Sequence, residues 1–239
     1  MVAKCREIEY IIGVPKGENI GGDSVFRGFT PQTVDFLWGI RLNNNREWFL
    51  ENKQQYVTQL YEPMKALGAE LFRPYLDKPG ELLKVSRIYR DARMHHPLPY
   101  KESLWICIRQ DVDWWAENPC LFFEINPEGV DYGFFIWQPR VAVLKDFHRD
   151  IAARPEPFLK MIEKVEKDTD MEITAETYKR PEKTDDPRLE RFFGWKKAIG
   201  CIRHEDFGPD VFSPELAQRV SDFFEKLTPL YDYFNKFKV

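Results

Sequence analysis

The sequence predicts a single α+β domain, in which a largely antiparallel sheet of about four to six strands is flanked by N-terminal and C-terminal helices. Apolar residues recur at helical spacing in the first part of the chain and again after Pro139, whereas between them the spacing changes to two. The turn "NPEG" at Asn126–Gly129 joins two apolar segments with too few residues for a crossover helix. Helices, then strands, then helices is the order of an α+β fold.

Start signals support the N-terminal helices. Thr30 is a good cap and Pro31 fits a first helical turn, while the break at Asn43–Asn45 offers a turn and a second cap. Pro63 permits a third helix. Residues 1–25 mix glycine and charge without a period, so we expect a loosely ordered extension, with the domain spanning residues 26–239.

Four segments rich in aromatic and β-branched residues predict the central strands: "ELLKVSRIY", "SLWICIRQ", "CLFFEIN" and "YGFFIWQ". Helical spacing returns after Pro139 and after Pro157. We then expect an edge strand ending at Pro181, a short helix, a final strand in "WKKAIGCIRH", and a C-terminal helix capped by Ser213.

Composition excludes several classes of protein. The longest apolar runs fall far short of the ~20 residues of a membrane span, and the first ten residues lack the apolar core of a signal peptide, so we expect a cytoplasmic protein without a membrane partner. The four cysteines form no C-x-x-C pair, and we expect reduced thiols. Serine-hydrolase, phosphate-loop and dinucleotide motifs are absent from the sequence, which identifies no cofactor.

The most unusual segment is "SRIYRDARMHHPLPYK", because it concentrates positive charge in a chain of net charge −4. Arg87 lies in a predicted strand, and Arg90 and Arg93 lie at or beyond its end, with Lys101 close behind. Guanidinium groups match carboxylates and phosphates bidentately, and a lysine adds a point charge. The segment therefore predicts an anion site at the end of a strand.

Other roles for this segment stay open. Asp91 could orient an arginine, contact a metal or act as a base, and it is the candidate for proton transfer. His95 and His96 raise a metal hypothesis, but adjacent histidines lack the spacing of two ligands on one helix face, and exposed loop histidines explain them better. A surface network in which Asp91, Glu81 and Glu102 neutralise the cations is the structural alternative.

A later basic group, "YKRPEK" with "WKK" beyond it, places aromatic residues beside cations, as in surfaces that bind nucleic acid. The pI near 5.7 is well below that of a dedicated nucleic-acid-binding domain. A pocket for a small anion fits this balance better, with Lys179, Arg180 and Lys196 as contributors from later in the chain. A non-catalytic module that binds protein or nucleic acid is the alternative, and the sequence indicates no oligomeric state.

The order of several uncommon motifs resembles the conserved hypothetical family called domain of unknown function 2461. The motifs are Asn-Asn-x-Arg-Glu-Trp-Phe, Arg-Ile-x-Arg-Asp-x-Arg, Pro-Tyr-Lys and Lys-Arg-Pro. The resemblance implies one cytoplasmic α+β domain and no known activity, and "MHHPL" departs from the longer lysine-containing run of many members. The motif positions are Asn44, Arg46, Trp48, Arg87, Arg90, Asp91, Arg93, Tyr100, Lys101, Lys179 and Arg180.

Together, these patterns predict the binding of a small phosphorylated or carboxylated ligand, with or without an enzymatic activity. The expected ligand-binding residues are Arg87, Arg90, Arg93, Tyr100, Lys101, Lys179 and Arg180.

Overall fold

A computed structural model describes residues 25–91, 97–112 and 114–237. Six strands form one sheet in the order β1-β2-β3-β4-β6-β5, and all neighbouring strands are antiparallel. The strands are β1 (Glu81–Val85), β2 (Leu104–Gln110), β3 (Cys120–Asn126), β4 (Gly129–Ile136), β5 (Thr174–Thr177) and β6 (Trp195–Asp206). The predicted α+β fold is confirmed.

Helices precede and follow the central strands, as the spacing predicts. They are α1 (Pro31–Leu42), α2 (Arg46–Glu51), α3 (Lys53–Gln55), α4 (Glu62–Phe72), α5 (Val141–Ala153), α6 (Pro155–Thr169), α7 (Glu190–Phe193) and α8 (Leu216–Phe234), with a π-helical segment (Tyr56–Tyr61) before α4. Thr30 and Thr33 form a capping box at α1, and the Asn45 side chain accepts the Trp48 N–H at the start of α2. Ser213 instead accepts the N–H of Glu215, and α8 begins at Leu216.

Helices α4 and α8 pack on one side of the sheet, which we call the covered face. Alternate strand residues point into this layer, among them Ile106, Phe123, Tyr132 and Ile199, each no more than 1% exposed. They join one large core with apolar residues of the helices. This burial is the main source of stability for the domain.

The opposite side of the sheet, the open face, carries a separate apolar cluster. Its buried members are Cys107, Cys120 and Phe135, and Trp105, Phe122, Trp137, Ala198 and Ile202 pack against them partly buried. All these residues come from strands or from the loop after β4, and within the described ranges no α-helical residue joins the cluster. A 3₁₀ turn (Trp115–Glu117) lies at its edge, where Trp115 stacks on Trp105.

No helix in the described ranges combines the length and the apolar composition that crossing a bilayer requires.

Candidate functional site

The basic segment forms the arms of a hairpin beyond the end of β1. We call residues 86–91 and 97–103 the basic hairpin. Strand β1 ends at Val85, but Tyr89 still bridges to Tyr100, and the Lys101 N–H donates to the Ile88 carbonyl at 2.7 Å. The Arg90 N–H donates to the Pro99 carbonyl at 2.9 Å. The two arms are therefore held by backbone hydrogen bonds, and the cations project from a defined frame.

The α1–α2 connection anchors this hairpin. The Asn44 side chain donates to the Tyr100 carbonyl at 2.9 Å and accepts the Tyr100 N–H at 3.0 Å, so it replaces a strand neighbour. The Tyr100 ring stacks on Phe49 with centroids 4.3 Å apart and is 4% exposed. Two of the uncommon sequence motifs thus meet in space. Tyr100, predicted as a ligand contact, lies in the core beneath the hairpin.

Arg90 lies inside a network of charges. Its side chain is 8% exposed, and its Nη2 is 3.9 Å from Glu102 Oε1. Glu102 also accepts a 2.7 Å hydrogen bond from Arg41 Nε, and Arg41 continues to Glu128 at 2.5 Å. The hydrogen bond to Glu128 raises the pKa of Arg41 against the effect of its partial burial. One carboxylate of the proposed neutralising network, Glu102, therefore lies at the hairpin but is shared with α1.

The second carboxylate of that network is used elsewhere. Glu81 accepts hydrogen bonds from Gln110 Nε2 at 2.6 Å and from the Tyr231 hydroxyl at 2.7 Å. It connects β1 to β2 and α8. Glu81 therefore belongs to the covered side of the molecule, and its hydrogen bonds are structural.

Lys101 is the most unusual group of the hairpin. Its Nζ is buried and has no hydrogen-bond partner among the described residues. The centroid of the Trp105 ring lies 5.6 Å from Nζ. Burial lowers the pKa of Lys101 to about 8, against the attraction of Glu124 and with added repulsion from Arg90. A buried amine without a partner is costly, and such a group needs an explanation, for example a bound water, an ion or a ligand.

Further cations surround this amine. Lys84 and Arg87 act on Lys101 in the same direction as Arg90, by lowering its pKa. Arg87 is exposed and Lys84 is half-buried, and both make interactions of their own. Asp91 is half-buried and also engaged, and its assignment to proton transfer stays a prediction. Arg93, His95 and His96 lie outside the described residues.

The later basic group lies at the opposite corner of the sheet. Lys179 and Arg180 are exposed and follow β5, which forms the edge farthest from β1. Five strand spacings separate these edges, or roughly 24 Å. The end of β5 lies beside Trp195, at the end of the sheet remote from the basic hairpin. Lys196, whose Nζ is 5.7 Å from the Tyr178 ring, belongs to this corner as well. The fold does not bring the two basic groups together.

A polar row crosses the open face next to Lys101. Trp105, Glu124, Asp131 and His204 are cross-strand neighbours on β2, β3, β4 and β6. Glu124 accepts a 2.5 Å hydrogen bond from Ser103, and His204 Nδ1 is 2.9 Å from Asp131 Oδ1. Burial lowers the pKa of His204, but the hydrogen bonds and charge attraction of Asp131 and Asp206 together outweigh burial, and the pKa is raised. In the part of the chain described, no cluster of three or more His, Cys, Asp or Glu residues has a metal-binding arrangement.

A cavity of about 250 Å³ lies elsewhere, between α5, α6 and α8. Asp150, one of the charged residues that line it, accepts hydrogen bonds from Arg154 and from the Tyr233 hydroxyl. These contacts occupy both carboxylate oxygens. The cavity therefore shows less evidence of a missing partner than Lys101 does.

Three residues near Lys101 escaped the sequence-based assignment: Lys84, Trp105 and Glu124. Each occupies a strand position with a side chain on the open face. Period-two patterning identifies which residues share a face, but it does not show which face the described helices cover. The alternation of Ser103, Trp105 and Cys107 at the start of β2 is the sequence signal that could have placed Trp105 on the same face as Lys101.

A comparison with protein families bears on the motifs that surround this site. The model of DUF2461, described as a conserved hypothetical protein, matches residues 32–233. None of the curated proteins compared with the chain matches it. The family match includes α1, the basic hairpin, all six strands and most of α8. Because it covers most of the sequence, it confirms the resemblance seen in the motifs: the chain belongs to the DUF2461 family of conserved hypothetical proteins.

Proposed function

We propose that this domain binds a small phosphorylated or carboxylated ligand at the basic hairpin, with Lys101 as the central cation. The observation that carries the proposal is the buried Lys101 Nζ, which lacks a hydrogen-bond partner among the described residues. A hydrogen bond from a charged donor contributes more free energy than a neutral one. An anion that accepts a hydrogen bond from the Lys101 amine therefore gains binding free energy at the group that lacks a partner among the described residues.

The surrounding charge fits an anion. Burial is the main reason why the pKa of Lys101 is lowered, and Lys84, Arg87 and Arg90 add repulsion against the attraction of Glu124. A bound anion would offset the repulsion of these three cations and raise the pKa of the amine toward its ordinary value. Arg90 is held by the hairpin backbone and by its proximity to Glu102, which reduces the entropy lost when it contacts a ligand.

The ligand is small rather than a long polyanion. Glu124, Asp131 and Asp206 lie on the same face of the sheet as Lys101, so a nucleic-acid backbone that continued across the sheet would meet carboxylates. Lys179 and Arg180, the other candidates for phosphate contacts, are at the far corner. This arrangement favours one focused site over an extended track.

Binding is tested by titrating inorganic phosphate, sulfate and citrate into the protein, with calorimetry and thermal unfolding as readouts. An anion at about ten times its Kd should raise the Tm by roughly 3 to 5 °C. Lys101→Met should abolish the effect, because Met keeps the apolar stem and removes the charge. The matched control is Lys197→Met, since Lys197 pairs with Glu176 near the other edge of the sheet.

The stability of the unliganded variants separates binding from a structural charge network. If Lys101 is an unsatisfied cation, Lys101→Met should be at least as stable as the wild type at pH 7. A destabilised Lys101→Met that still responds to anions would instead support the structural alternative. Tight, salt-sensitive binding of single-stranded oligonucleotides that survives Lys101→Met would favour a nucleic-acid-binding module. A wild type that responds to none of the three anions would overturn the proposal.

A further inference from the structure

We infer that the ligand carries an aromatic ring on its anionic group, and that this ring lies on the open face against Trp105. The inference rests on the proposed anion site and adds the chemical class of the rest of the ligand. It assigns the site to an aryl phosphate or an aryl carboxylate, rather than to inorganic phosphate or a short aliphatic acid.

The position of Trp105 carries the inference. Its ring centroid is 5.6 Å from Lys101 Nζ, so this buried cation and an aromatic surface adjoin. Trp105 is only half-buried, although its strand neighbours Leu104 and Ile106 are fully buried in the covered face. An anion that reaches Lys101 therefore places its substituent beside this indole.

The apolar surface continues away from the cation. Trp115 stacks on Trp105 with centroids 6.1 Å apart, and Phe122 lies partly buried in the same open-face cluster. Trp114, next to this turn, is 64% exposed. Partly exposed aromatic groups that gather on one face commonly mark an interaction site. A planar ring would bury more of this surface through stacking than an aliphatic chain of similar size.

The charges beside Trp105 limit the ligand to one anionic end. Glu124 is the cross-strand neighbour of Trp105, and Asp131 is the next residue across the sheet. A second phosphate on the far side of the ring would face these carboxylates. Hydroxyl or amino groups at that position would instead find acceptors. The ligand class is thus an aromatic compound with a single phosphate or carboxylate.

Access to the amine requires a local movement. The Lys101 Nζ is buried, whereas Trp105 is partly exposed. Ring stacking can therefore precede the contact with the amine, and small displacements at the hairpin then complete the site. An aromatic anion can both stack on Trp105 and contact the amine, but an inorganic anion can only contact the amine.

The test compares the affinities of inorganic phosphate, methyl phosphate and phenyl phosphate by calorimetry. We expect phenyl phosphate to bind the wild type roughly 10-fold more tightly than methyl phosphate, the size of a stacking contribution. Trp105→Leu should reduce that ratio to near one and still bind inorganic phosphate, which also reports that the variant is folded. Trp137→Leu, at the other end of the open-face cluster, should keep the wild-type ratio. Lys101→Met should lose all three ligands.

The outcomes distinguish the two proposals. If no phosphate compound binds the wild type, the anion site itself fails. If the three compounds bind with equal affinity, the anion site stands and the aromatic ligand is wrong. A preference for phenyl phosphate that persists in Trp105→Leu, or disappears in Trp137→Leu, would also overturn the assignment to Trp105. If Trp105→Leu loses even inorganic phosphate, Trp105→Phe is the deciding variant. The inference then requires that the logarithm of its affinity ratio for phenyl phosphate over methyl phosphate be at least half that of the wild type.

Discussion

The two faces of the sheet differ in how their buried tyrosine hydroxyls and lysine amine are paired. On the covered face, the Tyr132 hydroxyl donates to Glu205, which also accepts from Arg219 on α8 at 3.0 Å. The Tyr231 hydroxyl donates to Glu81 on β1. On the open-face side, the Lys101 amine is buried without such a partner in the described ranges. The tyrosine hydroxyls that join helix to sheet are therefore paired, whereas within the described ranges the lysine amine on the open-face side is not.

This difference separates the buried groups that stabilise the fold from the buried amine on which the proposed ligand site depends. A paired buried group stabilises the fold only while both partners are present, because each would otherwise be desolvated without a hydrogen bond. An unpaired buried group lowers stability and is retained most readily where a ligand supplies the partner. The contrast therefore predicts that substitutions on the two faces change different properties.

The largest expected effect comes from adjacent phenylalanines of β3. Phe123 is fully buried on the covered face and packs against Phe29 and Tyr132, whereas Phe122 is half-buried on the open face. Phe123→Ala should lower the free energy of unfolding by about 3 to 5 kcal/mol, because it leaves a cavity in the core. Phe122→Ala should lower it by about 1 to 2 kcal/mol, since less apolar surface is lost. Urea unfolding at pH 7 measures both.

This pair is internally controlled, because the two residues share a strand and a side-chain type. Equal losses of stability would mean that the open face is as well covered in solution as the helical side. That result would remove the contrast between the faces, together with the exposed aromatic surface on which the ring-binding inference depends.

A smaller effect should appear in the pH dependence of stability. The folded-state pKa of Lys101 is lowered to about 8, from an ordinary value of 10.5. Below pH 8 the amine is charged in both states, and its burial destabilises the folded protein in full. Between about pH 8 and 10.5 the folded state has lost the proton while the unfolded state retains it, so this group makes the free energy of unfolding rise with pH, by an amount on the order of 3 kcal/mol.

The Lys101 contribution is isolated by subtraction. Unfolding of the wild type and of Lys101→Met is measured at pH 7.5, 9 and 10.5, and the difference between the two proteins removes groups that titrate in both. Lys101→Met should be the more stable at pH 7.5, with the gap narrowing toward pH 10.5. If the difference in the free energy of unfolding does not change with pH, the amine is solvated or already paired. The proposed anion site would then lose the observation on which it rests, the buried amine without a partner.

The local features of the fold could be predicted from sequence, because they depend on nearby residues. Thr30 with Pro31 and the cap at Asn45 correctly locate the starts of α1 and α2. The predicted end of β1 is wrong, because the alternating pattern of the sequence continues to Tyr89, past the end of the observed strand. The Trp105 N–H donates to the Ser86 hydroxyl rather than to a backbone carbonyl, and the regular ladder ends at Val85. A side-chain bond to a residue 19 positions away leaves no mark in a local pattern.

The candidate site was only partly accessible to such reasoning. The motifs identified the basic hairpin, but Lys179 and Arg180 are separated from it because β6 inserts between β4 and β5. That strand order depends on long-range packing. The burial of Lys101 and the role of Asn44 as a strand substitute also depend on residues distant in sequence. Charge and residue type indicated the region, and the tertiary structure shows that Lys101 is the cation of that region whose amine is buried.

The smallest effect expected on the open face concerns His204. Its imidazole lies between Asp131 and Asp206, and despite partial burial its pKa is raised above the ordinary 6.5. The charged pair with Asp131 therefore stabilises the protein fully below pH 6.5, and this stabilisation disappears as the pH rises through the folded-state pKa. Because the His204 side chain is 40% exposed, solvent screening keeps the effect below about 1 kcal/mol.

The His204 contribution is measured as the difference between the wild type and His204→Gln in urea unfolding at pH 5.5 and 8.5. Titration of His148, whose pKa is lowered by burial against the core, cancels in this difference. The wild type should be the more stable at pH 5.5 by a few tenths of a kcal/mol, and the two should converge at pH 8.5. A larger gap at pH 8.5 than at pH 5.5 would mean that neutral His204 is the stabilising form. The open face would then hold a second unsatisfied group, and the contrast between the faces would extend beyond Lys101.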